Sequence, residues 1–342
     1  MRREIKGDAC HELLTKNIKQ KLAFNENCDV DVWKKQVKEK LVELLGLEKI
    51  SLNACEPNLL IEEDIDKGDY RQIRFTFESE VCAFVPCYLL LPKTDKKKYP
   101  VAITLQGHST GFHNSIGEPK SADDEEYVKH GDFGVQAVKN GFAALCIEQR
   151  AMGERCTTRH TFGAKMCDFQ SLTGVLLGRT VLGERIWDVQ KAIDLLTKFD
   201  MLDTEKILIT GNSGGGTMSF YAACIDERIR ISAPSCAFCS YSASILNVYH
   251  CSCNYIPNAY EWFEMQDLAC LIAPRKFIVI AGIEDRIFPI DGVKTAYETV
   301  KSIYKKFNAE DNCSLTITDK GHYWCKDVAW NKITSVTKSL NW

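Results

Sequence analysis

The sequence predicts an α/β fold, a mostly parallel central sheet with helices on both faces, preceded by an N-terminal helical extension. Two observations carry this. From Pro100 onward, short apolar runs alternate with helix-length stretches, the texture of a parallel sheet covered on both sides. One of those runs, Ile207-Leu208-Ile209-Thr210, passes directly into Gly211-Asn212-Ser213-Gly214-Gly215, a strand-to-helix turn in which small residues let two backbones approach closely.

Taken in order, residues 9–46 read as helical, because Leu13, Leu14, Ile18 and Leu22, then Val37, Leu41, Leu44 and Leu45, recur at three- and four-residue spacing before Gly46. Residues 1–70 are assigned to this extension and 71–342 to the main domain. Residues 73–91 turn β-branched and aromatic, predicting an antiparallel pair, and Pro86 in its second member points to an edge position. Strands follow at 101–105, 142–147, 206–210, 231–237, 276–281 and 314–318. A long helix is expected over 178–199 from the broad apolar face of Val181, Leu182, Ile186, Val189 and Ile193. Two stretches interrupt the alternation, 107–130 and an insert at about 239–266, and both follow strand C-termini, where open α/β sheets place their crevices.

Composition bounds the chemistry. The 342 residues carry a net charge of −3, which gives no electrostatic footprint for nucleic acid and suits a small or neutral substrate. The N-terminus has no apolar signal core, and no run is long enough to span a bilayer, so the expectation is a cytoplasmic protein without a membrane partner. Sixteen cysteines are then expected as buried thiols. A homo-oligomer is compatible with all of this.

Gly211-x-Ser213-x-Gly215 after a buried strand has the form of a nucleophile elbow, with Ser213 on a sharp turn and its hydroxyl exposed. A serine needs a base and an acid to orient that base, in the chain order Ser, acid, His. Asp285 follows the apolar run 276–281, with Glu284 in reserve, and His322 follows 314–318. The oxyanion donors are expected from the backbones of Gly214 and His108, the latter in Gln106-Gly107-His108-Ser109 after the strand 101–105. His113 and His130 read equally well as exposed loop residues or as site residues.

His250-Cys251-Ser252-Cys253 has the look of a ligand cluster, but Cys-x-Cys with no second pair is a poor zinc signature, so no metal is expected. The segment reads instead as a pocket lining, with Tyr255 and Trp262 as walls. The charged run Glu148-Gln149-Arg150-Ala151-Met152-Gly153-Glu154-Arg155 reads as ion pairs holding loops over the sheet, with Arg150 a candidate substrate contact.

Together, Gln106-Gly107-His108, Arg150-x-x-Gly153-Glu154-Arg155, the Ser213 elbow, His250–Pro257, Ala273-Pro274-Arg275, Gly282-x-x-Asp285 and Gly321-His322 resemble bacterial α/β-hydrolases of the acetyl xylan esterase and dienelactone hydrolase-like group. The resemblance spans roughly residues 70–340. It implies the α/β-hydrolase fold, Ser213, Asp285 and His322 as the triad, and carboxylic esters such as acetylated sugars as substrates, with no cofactor. The rival expectations are a serine peptidase of the same fold, or a non-catalytic binding protein that keeps the fold without its chemistry.

Overall fold

The computed structural model describes residues 5–157 and 167–342. Its centre is a nine-stranded sheet in the order β1-β2-β3-β5-β4-β6-β7-β8-β9. The strands are β1 (Leu60–Asp66), β2 (Tyr70–Glu80), β3 (Ala83–Pro92), β4 (Tyr99–Leu105), β5 (Ala143–Ile147), β6 (Leu202–Asn212), β7 (Ile229–Ser235), β8 (Lys276–Gly282) and β9 (Cys313–Thr318). The first three run antiparallel and β3 pairs antiparallel with β5, after which every pairing is parallel. The chain leaves β4 for β5 on one side and returns to β6 on the other, so the connections after β4 and β6 diverge and open a crevice at their C-terminal ends.

The helices among the described residues are α1 (Ala9–Asn17), α2 (Val30–Leu45), α3 (Leu47–Ser51), α4 (Ala122–Gly131), α5 (Phe133–Lys139), α6 (Asp168–Leu176), α7 (Val181–Leu195), α8 (Gly214–Ile225), α9 (Ile290–Lys306) and α10 (Lys326–Ser339). Alternation along β4 sorts its side chains to two cores. Val101, Ile103 and Leu105 join the larger cluster, under α2, α7, α8 and α9, while Ala102 joins the smaller one with Phe133 of α5 and Trp330 and Ile333 of α10. Each such large side chain taken fully from water is worth about 1.5–3 kcal/mol.

The expected helical extension resolves into α1 and α2 with a loop between them. Asp29 caps α2 by accepting from the N–H groups of Asp31 and Val32, and Gly46 ends it at φ 74°, in the left-handed region where a side chain is costly. Trp33, Val37, Leu41 and Leu45, four residues apart, are its buried stripe. Lys38 reaches from this stripe to the carbonyls of Cys224 and Ile225 at 2.9 and 2.6 Å, placing a cation on the C-terminal end of α8. The extension is thereby fastened beneath the helix that carries the elbow.

Two expectations change. β1 lies inside the stretch assigned to the helical extension, and it is the true edge of the sheet. Every residue of Leu60-Ile61-Glu62-Glu63-Asp64-Ile65-Asp66 is exposed, so no one-sided burial marks it in the sequence. Pro86 is accordingly not on an edge strand. It sits just beyond the stretch of β3 that pairs with β5, and its carbonyl accepts the Glu148 N–H at 3.0 Å, so the N–H that proline lacks is not needed there.

Candidate active site

β6 delivers Ser213 into the turn before α8, and Ser213 adopts φ 55°, ψ −122°, a conformation a serine side chain disfavours. Its surroundings hold it there. The Ser213 N–H donates to the Ser235 carbonyl at 2.9 Å, and its own carbonyl accepts the Thr217 N–H at 2.8 Å. The flanking glycines are obligatory: a Cβ on Gly211 would lie 2.3 Å from the Leu105 carbonyl oxygen, and one on Gly215 only 1.9 Å from that same atom. Packing of α8 against β4 therefore requires the bare backbone that the sequence supplies.

Asp285 and His322 follow β8 and β9 and meet across neighbouring loops. His322 Nδ1 lies 2.8 Å from Asp285 Oδ2, while Asp285 Oδ1 accepts the N–H groups of Ile287 and Phe288 at 2.9 and 3.1 Å. Burial penalises the Asp285 charge. The His322 hydrogen bond and charge, helped by those two N–H groups, outweigh that penalty and hold its carboxyl below the usual range. The His322 ring stacks on Phe288 with 14° between planes, so the imidazole is oriented on its face as well as its edge. Ser213 and His322 line one cavity of about 360 Å³, together with Gly107, His108, Asn212 and Trp324. Ser213 and Gly214 line a second of about 410 Å³, with His108, Tyr249, His250 and Asn254 among its walls.

Gly214 opens α8, and the loop carrying His108 lies against it. A Cβ on Gly214 would come within 3.2 Å of the His108 ring, and one on Gly107 within 2.9 Å of the Asn212 carbonyl. Gln106 anchors this loop from below, its Nε2 donating to Glu148 Oε1 at 2.6 Å. The structure thus gathers Ser213, Asp285, His322, Gly214 and His108 around one crevice, as the sequence orders them.

Most of the other expected site residues fall elsewhere. Arg150 does not face the crevice. Its guanidinium is bound by Glu80 at 2.5 Å and by both Asp188 oxygens at 2.9 and 3.0 Å, and Arg155 and Arg179 extend the same buried ion cluster. Trp262 packs under Lys21 and Lys40, 4.4 and 4.0 Å from its ring, and its carbonyl accepts the Leu22 N–H at 2.7 Å, so it secures the N-terminal extension. Tyr255 lines a neighbouring cavity of about 700 Å³, which α1 and α6 help to wall and which shares Tyr249 and His250 with the Ser213 cavity. His113 is buried against Asp124, Nε2 to Oδ2 3.2 Å, contrary to the exposed-loop reading. His130 is half-buried, between Tyr127 and Tyr323, on the Ser213–His322 cavity.

Three further features of the site have contacts the sequence analysis did not foresee. His250 sits edge-on to Phe288, the ring that His322 stacks on, and its Nε2 lies 2.9 Å from Ser244 Oγ. Glu148 is fully buried between Gln106 and the N–H groups of Phe112 and Glu154, and burial pushes its carboxyl up to about 7. Its place directly after an apolar strand was the available signal. Cys167, from the start of α6, approaches His108 to 3.5 Å.

A family model described as the Abhydrolase family matches residues 3–230, a span that includes Ser213 and ends before Asp285 and His322. The provisionally named hydrolase YtaP of Bacillus subtilis (strain 168) is 25% identical over 241 residues, covering 70% of this chain and 78% of that protein. Among solved structures, a provisional acetyl xylan esterase of Bacteroides fragilis NCTC 9343 superposes with a TM-score of 0.75 at 18% identity, covering 93% of this chain and 83% of its own. A glucuronoyl esterase from Solibacter usitatus gives 0.64 at 14% identity, covering 95% and 99%. Acetyl Xylan Esterase 1 from Thermoanaerobacterium sp. JW/SL YS485 gives 0.57 at 16%, covering 95% and 98%. At these identities the structural likeness establishes the fold.

Proposed function

The chain belongs to the Abhydrolase family, and from that premise we propose that it is a serine esterase that cleaves short-acyl, acetyl-type esters of sugars or other small molecules. The observation that carries the reading is His322, paired with Asp285 at 2.8 Å, lining one cavity with a serine held at positive φ. The names of the acetyl xylan esterases and the glucuronoyl esterase that share the fold support the substrate class.

In the proposed mechanism His322 Nε2 takes the Ser213 proton as Oγ attacks the ester carbonyl. Asp285 keeps the proton on Nδ1 and steadies the imidazolium. The Gly214 and His108 N–H groups face the oxyanion, where donors fixed before the reaction cost no reorganisation. His322 then protonates the departing alkoxide, leaving Ser213 acylated. Water, deprotonated by the same imidazole, attacks the acyl carbon, and the imidazolium returns that proton to Ser213 Oγ as the acid departs. A cavity of about 410 Å³ beside Ser213 accommodates a small acyl or alcohol group, and the adjoining apolar cavity accommodates a longer extension. Nine of the sixteen cysteines are buried, which fits a reducing compartment, the cytoplasm in this reading. Among the described residues no helix is long and apolar enough to cross a membrane.

The test is hydrolysis of a chromogenic acetate ester and of acetylated xylo-oligosaccharides by the wild type and by Ser213→Ala. Turnover by the wild type, with kcat lower by about a thousandfold or more in the variant, supports the reading. Equal rates in the two would defeat it. Cleavage of peptide amides but not esters would favour a serine peptidase of this fold, and ligand-induced thermal stabilisation with no turnover a binding protein.

A further inference from the structure

Beside the Ser213 cavity the fold assembles a group of side chains that the proposed hydrolysis does not use. His108 from the loop after β4, Cys167 from the start of α6, and Cys251 and Cys253 from the insert between β7 and β8 bring one ligand atom each to within 4.8 Å of all the others. His108 Nε2 lies 3.3 Å from Cys253 Sγ and 3.5 Å from Cys167 Sγ, and the Cys251 and Cys253 sulfurs are 3.4 Å apart. From these distances we propose that the three cysteines and the histidine form a site for a divalent zinc ion.

Four ligands at the corners of a tetrahedron around zinc, with Zn–S near 2.3 Å and Zn–N near 2.0–2.1 Å, stand about 3.8 Å apart sulfur to sulfur and about 3.5 Å sulfur to nitrogen. Three of the six ligand–ligand separations are 3.3–3.5 Å and all six are within 4.8 Å, so modest adjustment of the side chains admits the ion. Three thiolates and a neutral imidazole form a soft donor set that suits zinc over magnesium, calcium or manganese. Because all four corners are protein atoms, the site is of the closed, structural kind, with no position for a reacting water.

The surroundings of the cluster supply a second, independent indication. Zinc with three thiolates carries a net charge of −1, and a buried anion needs a partner. Arg185, 2% exposed, points its Nη2 at Cys167 Sγ at 3.3 Å, while its Nε and Nη2 also donate to the Arg150 carbonyl at 2.9 and 2.6 Å. Asn254 Nδ2 lies 3.9 Å from Cys253 Sγ, and its Oδ1 accepts from Thr217 in α8. A buried guanidinium and an amide aimed at cysteine sulfurs are the outer partners that orient and neutralise thiolate ligands. Local spacing could not reveal the site, since His108 and Cys253 are 145 residues apart. Its consequence is mechanical: one ion would fasten three separate crevice loops to one another, including the loop of His108.

The test uses full-length protein purified under reducing conditions without chelator. Metal analysis should find one zinc per chain that survives gel filtration. Exchange for cobalt(II) should give the intense thiolate-to-cobalt charge-transfer absorption and the visible bands of a tetrahedral site with three sulfur donors and one nitrogen. Cys253→Ser and Cys167→Ser should retain zinc about tenfold or more weakly, whereas Cys313→Ser, a buried cysteine on β9, should retain it fully. If the ligand variants do not fold, the cobalt spectrum of the wild type decides alone. Wild type that retains no zinc after reconstitution, an octahedral cobalt spectrum, or a Cys251–Cys253 disulfide found by mass spectrometry would each overturn the proposal. These readouts need no substrate, so they stand or fall separately from the esterase reading.

Discussion

Replacing Glu148 by glutamine should make the protein gain stability relative to wild type as pH rises. Glu148 is a fully buried carboxyl whose burial raises its pKa from 4.5 to about 7, despite the N–H groups of Phe112 and Glu154 pointing at it. Between those two values the unfolded chain has released the proton while the folded chain still holds it. The unfolded state therefore binds fewer protons, and wild-type stability falls as pH rises through this window. The span from 4.5 to about 7, at about 1.4 kcal/mol for each pH unit, gives a loss of about 3 kcal/mol, complete above pH 7. Glutamine has the same shape and cannot ionise. Its amide can donate to Gln106 Oε1, a buried atom that has no hydrogen-bond partner, once the Gln106 amide turns over. Urea unfolding of both proteins at about pH 5 and pH 8 measures the effect. The gap between variant and wild type should widen by about 2.5 kcal/mol in favour of Glu148→Gln, and the comparison cancels every other titrating group. Parallel pH profiles for the two proteins would refute the assignment of a protonated Glu148 to the folded state.

Gly215→Ala should cost about 3 kcal/mol or more, read as a fall in melting temperature, since its Cβ would meet the Leu105 carbonyl at 1.9 Å and neither backbone can move without displacing α8 or β4. Arg150→Met should cost about 3–5 kcal/mol in denaturant unfolding by stranding Glu80 and Asp188 without a counter-charge, yet leave KM for small esters nearly unchanged. A raised KM with unchanged stability would restore Arg150 to the substrate. Asp285→Asn should keep the fold and lower kcat on the order of 10³–10⁴-fold by leaving His322 in the wrong tautomer, and wild-type kcat in that variant would remove Asp285 from the mechanism.

The parts of this molecule legible in the sequence are those whose physical cause is local. The elbow is written in five consecutive residues because the clash it avoids is between β4 and the first turn of α8. Asp285 and His322 are legible because each follows its own apolar strand. What stayed hidden depends on residues brought together from far apart. Arg150 stands in a charged run that reads the same whether it faces substrate or Asp188, and only the course of α7 decides. Trp262 is aromatic and near the crevice in sequence, but its partners Lys21 and Lys40 belong to the N-terminal extension. β1 is hidden by its full exposure. The group of three cysteines and a histidine is hidden because a single Cys-x-Cys carries half of it, while Cys167 and His108 come from two other connections of the sheet.

The partition formed by Tyr249 and His250 stands between the Ser213 cavity and the larger apolar one walled by α1 and α6. It works as an adjustable bulkhead. Because Tyr249 lines both chambers, a change of side chain at position 249 would alter the space in both, while Ser213, Asp285 and His322 kept their places. In the proposed esterase, preference for the group seated there can therefore drift by exchange of one side chain that carries no charge, on a timescale independent of the residues proposed to break the bond.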